Sequence, residues 1–317
     1  MTATTNRLPA PASAGVGRPA ILIVAGAAAL SLSATFVKLG DVTAGTAAFL
    51  RCVIALAALI PMALWEVRRR GAMPVGLYPL AILAGIFLGA DYIMWTASIL
   101  DVGASIATVL INVQVIVLPV LALVIDRVAI PGRFALAAPC MLLGVAMAGG
   151  VIGDSGIAAA HAVRGSILGV AAGAAYAVYL FLNRRSVQRS PRHIVTPICV
   201  ATASAAATAG VIAAAMGDIN LSIPAASWGW MVALALIGQV AAWLFISTGS
   251  RSLSANVVAG LLLLQPVLAI VFGYLVLAET PTRIQIAGSV IVIAAVWTAN
   301  HHPHNRLRHT PARKRPR

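Results

Sequence analysis

The stretch LSANVVAGLLLLQPVLAIVFGYLVLAE, from Leu253 to Glu279, indicates the fold class more clearly than any other part of the chain. It is an almost unbroken apolar run, and about 20 such residues span the hydrocarbon core of a bilayer as a helix. A second stretch, GASIATVLINVQVIVLPVLALVIDR from Gly103 to Arg127, has the same pattern. Both open with small residues and a serine, carry a glutamine at mid-span (Gln114 and Gln265) and have an acid at the end. The chain therefore contains an internal repeat.

The residues before these two stretches also match. Asp91-x-x-x-Trp95 precedes the first stretch, and Gln239-x-x-x-Trp243 precedes the second, so each repeat has a polar residue one helical turn from a tryptophan. The apolar runs of the chain predict ten membrane spans, five in each half. Because five is an odd number, the helices of the second half cross the membrane in the direction opposite to their counterparts in the first half. Such inverted repeats are typical of alternating-access carriers, in which the substrate site lies near the midplane between the repeats.

Composition agrees with a membrane protein. The chain is 61% hydrophobic and only 9% charged, against about 25% charged in soluble domains, which excludes a water-soluble globule. We predict an all-α polytopic protein with ten transmembrane helices arranged as two inverted five-helix repeats. The predicted windows are 19–38, 43–64, 77–99, 104–125, 134–152, 165–183, 193–216, 227–249, 255–278 and 284–299.

The distribution of charge predicts the orientation. The chain has 22 Lys and Arg residues against 8 Asp and Glu, a net charge of +14. If the N-terminus is inside, 18 of the 22 basic residues fall on the inner side, as expected when positive loops stay in the cytoplasm. Both termini are therefore predicted to be cytoplasmic, and nucleic acid is not an expected partner.

No enzymatic or metal-binding motif stands out. There is no HExxH, GxSxG or P-loop, and Cys52, Cys140 and Cys199 lie in apolar runs without ligand spacing. We predict no enzyme activity, no cofactor and no metal, so transport is passive or driven by an ion gradient. Residues 1–18 are expected to be a disordered segment, and 300–317 a basic cytoplasmic tail that can lie on anionic lipid.

The run LLLLQPVLAIVFGYLVLAETPTRIQIAGSVIVIAAV (261–296), together with Arg51 in FLRCVIALAAL, resembles the EamA-domain transporters of the drug/metabolite transporter superfamily. The resemblance covers about 19–299, with the repeats at 19–152 and 165–299. It implies a carrier in the bacterial plasma (inner) membrane that exports small metabolites, such as amino acids, through a central cavity. The first repeat departs from the pattern, with Val115 in the place of Pro266.

Two charged side chains, Arg51 and Asp91, fall well inside predicted spans, where a charge costs about 2.5–3.5 kcal/mol on insertion scales. Counting the helical rise places both about 12 Å below the outer boundary, level with Asn112. Two interpretations stay open. In one, they form a buried ion pair that fixes the packing of spans two and three. In the other, Asp91 faces a cavity and binds a proton or a substrate amine, while Arg51 holds a carboxylate.

Polar and aromatic residues in the spans complete the predicted site. The amides can line a cavity for a zwitterion or bond neighbouring helices together, and the aromatic residues can form walls or gates or simply pack. The candidates for substrate binding or gating are Asp91, Trp95, Asn112, Gln114, Tyr176, Gln239, Trp243 and Gln265. Glycines four residues apart, at Gly85 and Gly89 and at Gly165, Gly169 and Gly173, predict close helix contacts.

The sequence thus favours a secondary carrier that moves small polar or zwitterionic metabolites by alternating access, with a proton as the coupling ion. Two alternatives remain: a lipid or lipid-linked sugar flippase, and a membrane assembly protein that transports nothing. The oligomeric state is open between a monomer and a homodimer.

Overall fold

The computed structural model describes residues 17–102, 107–108, 110–130, 132–148, 159–277 and 282–300, and no strand occurs among them. The helices are α1 Gly17–Gly40, α2 Ala44–Arg70, α3 Tyr78–Val102, α4 Gln114–Asp126, α5 Gly132–Ala148, α6 Ala159–Arg189, α7 Val195–Ala215, α8 Ala225–Ser250, α9 with its two parts Ala255–Leu262 and Gln265–Leu277, and α10 Arg283–Asn300. Short 3-10 turns, Val75–Leu77 and Ile111–Val113, precede α3 and α4. The predicted all-α class is confirmed.

Seven helices in the described part of the chain are long and apolar enough to cross a membrane. Three further apolar helices are shorter: Ile111–Asp126, Phe134–Gly144 and Ile286–Ala295. They coincide with the predicted windows 104–125, 134–152 and 284–299, so the count of ten crossings stays a prediction. The predicted N-terminal segment and basic tail fall almost entirely outside the described residues.

Several helices run beyond their predicted windows. Helix α2 continues to Arg70, and α6 begins at Ala159, inside the stretch 153–164 that the sequence assigns to a connection. That assignment is wrong for residues 159–164. Hydropathy detects only the part of a helix that suits hydrocarbon, whereas backbone hydrogen bonding continues through the polar residues at its ends.

The main helix contacts of one repeat have counterparts in the other. They recur when every helix is replaced by its equivalent in the other repeat, α1 by α6, α2 by α7 and so on, and vice versa. Helix α3 packs on α6 and α7, as α8 packs on α1 and α2. Helices α2 and α7, α4 and α9, and α5 and α10 contact each other directly. This exchange symmetry is the structural form of the internal repeat.

The predicted glycine contacts are confirmed. A Cβ added at Gly89 would lie 2.7 Å from the carbonyl oxygen of Ala205, and one at Gly173 would lie 2.6 Å from that of Ile111. Gly85 meets α7 in the same way, while Gly165 and Gly169 contact Asp101, Val102 and Leu110. Small residues thus allow the backbone of α3 to pack closely against α7. They also allow the backbone of α6 to pack closely against α3 and against the residues just before α4.

Helices α2 and α7 hold each other at both ends through carboxylates. Glu66, near the end of α2, accepts hydrogen bonds from the backbone N–H groups of Ile194, Val195 and Thr196 at 2.9, 3.2 and 2.7 Å, where α7 begins. Asp218, just after α7, accepts one from the N–H of Gly45 at 2.7 Å, where α2 begins. Each acid satisfies free N–H groups at a helix start. The two helices are therefore antiparallel, so the repeats are inverted at this pair.

Helices α4 and α9 are interrupted at matching places. In α9 a turn at 263–264 separates the two parts, and the second part starts at Gln265. Pro266 has no N–H to offer the carbonyl four residues earlier, which favours a break there. In the first repeat the 3-10 turn Ile111–Val113 ends where α4 starts, at Gln114. Both matched glutamines therefore begin a helix.

Candidate functional site

A cavity lies between helices of the two repeats. It contains about 450 Å³ of space not filled by protein atoms, a figure that includes space open to the surroundings. Helices α1, α2, α3, α6, α8 and α9 and the residues before α4 contribute to its wall. The lining residues are Leu30, Ser31, Ser33, Ala34, Arg51, Asp91, Tyr92, Trp95, Thr108, Ile111, Tyr176, Trp243 and Gln265.

Helix α3 supplies the acid of the cavity. Asp91 and Trp95 lie one turn apart, so both project from the same face of the helix, and both line the cavity. Asp91 is only 2% exposed. Its Oδ1 and the indole Nε1 of Trp95 have no hydrogen-bond partner among the described residues. Buried polar atoms are nearly always bonded, so these two groups are available to a ligand.

Arg51 reaches the cavity from α2 and is held there by α8 and α3. Its Nη2 donates to the carbonyl oxygen of Gly238 at 3.1 Å, and its guanidinium carbon lies 3.8 Å from the centre of the Tyr92 ring. No ion pair joins Arg51 to Asp91, although both residues are described and line the same cavity. The direct ion pair that the sequence left as one alternative is therefore not formed, because a backbone carbonyl and an aromatic face hold the guanidinium instead.

The carbonyl that holds Arg51 belongs to a local irregularity of α8. Residues Leu236–Ala241 form a π-helical turn, a wider turn that occurs often at functional sites. Gln239 lies in this turn, fully buried, and does not line the cavity. It accepts a hydrogen bond from the hydroxyl of Tyr92 and donates one to Thr202 Oγ1 at 3.1 Å. Gln239 therefore does not face the cavity but holds the lining residue Tyr92 in position.

Trp243 is both a cavity wall and a member of this network. Its indole Nε1 donates to the hydroxyl of Tyr92 at 2.9 Å. Its ring meets that of Tyr179 edge-on, with centroids 4.6 Å apart, and that of Tyr176 at 5.8 Å. The bond and the two ring contacts hold the indole in place, so in this structure Trp243 is a packed wall of the cavity.

Tyr176 of α6 and Gln265 of α9 line the cavity from the second repeat. The hydroxyl of Tyr176 and the side-chain amide of Gln265 interact with each other, but neither that hydroxyl nor the Nε2 of Gln265 makes a hydrogen bond of good geometry in the described part of the chain. The backbone carbonyl of Gln265 accepts a hydrogen bond from Ser31 Oγ at 2.9 Å. The break in α9 thus places the main chain of Gln265 against α1, while the residue also lines the cavity.

Two predicted residues, Asn112 and Gln114, are fully buried but do not line the cavity. The amide nitrogen of Asn112 donates to the carbonyl of Thr108, and the amide of Gln114 has no partner among the described residues. The expectation that their amides line the cavity is not met. Helical rise predicts the depth of these residues in the membrane, but the 3-10 turn sets the direction in which they point.

A family comparison agrees with this arrangement. A model described as the EamA-like transporter family matches residues 17–150 and again residues 163–300. The chain belongs to the EamA-like transporter family. The predicted membership of the drug/metabolite transporter superfamily is confirmed, and the chain is a multi-pass membrane transporter built from two repeats.

One solved structure, described only as "Crystal structure of protein", has a TM-score of 0.71 against this EamA-family chain. It covers 90% of this chain and 98% of its own length at 14% sequence identity, which shows the fold alone. No curated protein matches the sequence. Among the described residues, no group of His, Cys, Asp or Glu is placed to hold a metal ion.

Sequence reasoning missed four polar residues of the wall in this EamA-family protein: Ser31, Ser33, Tyr92 and Thr108. A signal was present for the last two. Tyr92 lies three residues before Trp95, a helical spacing that puts them on neighbouring positions of one face. Thr108 lies four residues before Asn112, to which its carbonyl is bonded.

Proposed function

We propose that this EamA-family protein is a secondary transporter that moves small polar or zwitterionic, amino-acid-like metabolites by alternating access through the cavity. One observation carries the proposal: five lining side chains, drawn from both repeats, each have a buried polar atom that makes no well-formed hydrogen bond within the described residues. These atoms are Arg51 Nε, Asp91 Oδ1, Trp95 Nε1, Tyr176 OH and Gln265 Nε2. A purely structural polar layer would satisfy its own hydrogen bonds, whereas a binding site leaves them for a ligand.

The contacts around the cavity favour alternating access because they cross from one repeat to the other. Arg51 bonds to Gly238, Tyr92 to Gln239, and Ser31 to the carbonyl of Gln265. A ligand that binds these side chains therefore acts directly on the interface between the repeats. Binding energy that differs between the two arrangements is what shifts a two-state equilibrium.

Asp91 is our candidate for the proton-coupling residue. It is the one acid among the lining residues of the described chain. A buried carboxylate without a hydrogen bond is costly when ionised, so protonation or ligand binding must neutralise it. The state of Asp91 then links the proton gradient to transport.

We further propose that both termini are cytoplasmic and that the protein exports its substrates across a bacterial plasma membrane. The basic residues near the end of α2 and around the α6–α7 and α8–α9 connections lie together. Arg70 donates to the carbonyl of Arg192, and Arg251 to that of Pro191 at 2.7 Å. Such a basic face is expected on the cytoplasmic side. Reporter fusions at both ends test the orientation.

Uptake by proteoliposomes tests the transport function. Purified protein is reconstituted and offered a panel of radiolabelled metabolites, with and without an imposed pH gradient. We expect saturable uptake of at least one metabolite, a rate that responds to the gradient, and loss of that response in Asp91→Asn. The matched control is Asp41→Asn, which changes an exposed acid outside the cavity.

Absence of saturable uptake across the panel, from protein that is monodisperse and folded, would refute the transporter proposal. A pH response that persists in Asp91→Asn would leave transport standing and reject Asp91 as the proton site.

A further inference from the structure

Donors outnumber acceptors among the buried lining atoms that have no hydrogen-bond partner within the described residues. Among the unpartnered buried atoms of its lining, Arg51 Nε, Trp95 Nε1 and Gln265 Nε2 can only donate, and Tyr176 OH can donate or accept. Asp91 Oδ1 is the single oxygen in this set that belongs to a carboxyl group. A ligand that forms hydrogen bonds with these donors must carry acceptor atoms such as oxygens.

We propose that the group recognised in this cavity is a carboxylate, that a substrate amino group is dispensable, and that Asp91 is protonated when the carboxylate binds. The inference rests on the proposed transport function and narrows its substrate class to small monocarboxylates, amino acids included. In this proposal the substrate carboxylate accepts hydrogen bonds from the donor atoms named above.

Arg51 supplies the positive charge for such a ligand. Its Nη2 donates to the Gly238 carbonyl at 3.1 Å, and its guanidinium carbon lies 3.8 Å from the centre of the Tyr92 ring. These contacts fix the plane of the guanidinium but carry no formal negative charge. Its Nε has no hydrogen-bond partner in the part of the chain that the structure describes. The residue is therefore oriented in advance and still electropositive, which suits it to a carboxylate.

Asp91 must be neutral for this ligand. The charged or titratable groups that interact with it are Arg51 from α2, Tyr92 beside it on α3, and Tyr176 and Tyr179 from α6. The tyrosines are neutral phenols, so Arg51 is the one full charge in this set. Two ionised carboxylates beside a single guanidinium would repel each other. One proton on Asp91 removes that repulsion and adds a further donor.

Proton and carboxylate therefore bind together and cross the membrane in the same direction. In such a carrier an internal excess of the metabolite, rather than the pH gradient, drives export. An imposed inward proton gradient drives uptake into proteoliposomes.

Matched compounds test the recognised group. Each set has an amino acid, the same skeleton without the carboxylate, and the same skeleton without the amine. The sets are alanine, ethylamine and propanoate; leucine, isoamylamine and 4-methylpentanoate; and phenylalanine, phenethylamine and 3-phenylpropanoate. Binding is measured by calorimetry on the purified full-length protein. In at least one set we expect the amino acid and the carboxylate to bind and the amine not to bind.

The pH dependence tests the proton. At pH values above the titration of Asp91, carboxylate affinity should fall by about tenfold per pH unit, the slope for one linked proton. Asp91→Asn mimics the neutral acid, so it should bind the carboxylate with an affinity that does not change with pH. Asp41→Asn should keep the wild-type slope. The wild-type slope is informative on its own if Asp91→Asn does not fold.

Three results would overturn the inference. They are binding of the amines without the carboxylates, a requirement for both charges, and carboxylate binding that is independent of pH in the wild-type protein. The first two would leave the transporter proposal intact, because amines or zwitterions would then be the substrates. If nothing in these sets binds and the wider uptake panel is also negative, both proposals fall.

Discussion

The polar-x-x-x-Trp motif occurs once in each repeat, and its two copies are in opposite states. In α8, Gln239 and Trp243 are bonded to Tyr92, and Gln239 is bonded to Thr202 as well. In α3, at the equivalent position, Asp91 Oδ1 and the indole of Trp95 have no hydrogen-bond partner among the described residues. One copy is therefore part of the scaffold, and the other is available to a ligand.

The backbone also differs between the two copies, and it is irregular at the copy whose side chains are hydrogen-bonded. Around Gln239 the chain forms the π-helical turn Leu236–Ala241, and the Gly238 carbonyl in this turn binds Arg51. Around Asp91, α3 is a regular α-helix. An inverted repeat can therefore keep the same residue spacing while its hydrogen bonds are formed in one half and, within the described residues, left open in the other.

The largest loss of stability is expected from Gln239→Leu. This change removes two interhelical hydrogen bonds, so the Tyr92 O–H loses its acceptor and Thr202 Oγ1 loses the donor on α8, which should lower the free energy of unfolding by about 2 kcal/mol. Reversible unfolding in mixed micelles measures it. Gln265→Leu is the matched control, because the Nε2 of that amide makes no well-formed hydrogen bond within the described residues. Equal losses in the two variants would contradict the division into scaffold and site.

Glu66→Gln should have the next largest effect, about 1 kcal/mol, because it removes a charge that accepts hydrogen bonds from three backbone N–H groups at the start of α7. Asp218→Asn, at the opposite end of the α2–α7 pair, should cost less, since its side chain accepts one bond from Gly45. The same unfolding assay compares them. A greater loss in Asp218→Asn would show that the two ends are not held as the structure indicates.

Asp91→Asn should leave stability nearly unchanged, within about 0.5 kcal/mol, because no hydrogen bond to the described chain is lost. Its effect should instead be on function, with the pH response of transport abolished. Unfolding and uptake are measured on the same preparation. Strong destabilisation would mean that Asp91 has a structural role like that of Gln239, and the comparison between the repeats would fail.

Much of this fold could be predicted from the sequence because the bilayer imposes simple rules. Apolar length predicts helices, and the matched stretches around Gln114 and Gln265 predict a repeat. The helix ends could not be predicted, as α6 shows at Ala159. Hydropathy does not distinguish a polar helix end from a loop once the chain has left the hydrocarbon layer. The break before Gln114 also has no marker in the sequence, since the next residue is valine rather than proline.

The cavity was partly predictable for a related reason. Helical rise gives the depth of a residue, and depth groups Arg51, Asp91 and Asn112 in one layer. Depth does not give direction around the helix axis. A 3-10 turn has 3.0 residues per turn instead of 3.6, so the turn Ile111–Val113 changes the direction of the side chains within it and after it, and Asn112 and Gln114 do not line the cavity. Their functional roles, like those of the lining residues, stay predictions.

The smallest effect is expected from Pro266→Val, which gives the second repeat the residue that the first has at Val115. The first repeat starts α4 at Gln114 without a proline, so packing around the break must be sufficient to keep it. Pro266 also lies in the first turn of its helix, where proline is tolerated. Unfolding free energy should therefore change by less than about 0.5 kcal/mol, and ligand affinity should stay within about twofold. A loss comparable with that of Gln239→Leu would show that the proline itself maintains the break in α9, and that the two repeats form the same interruption by different means.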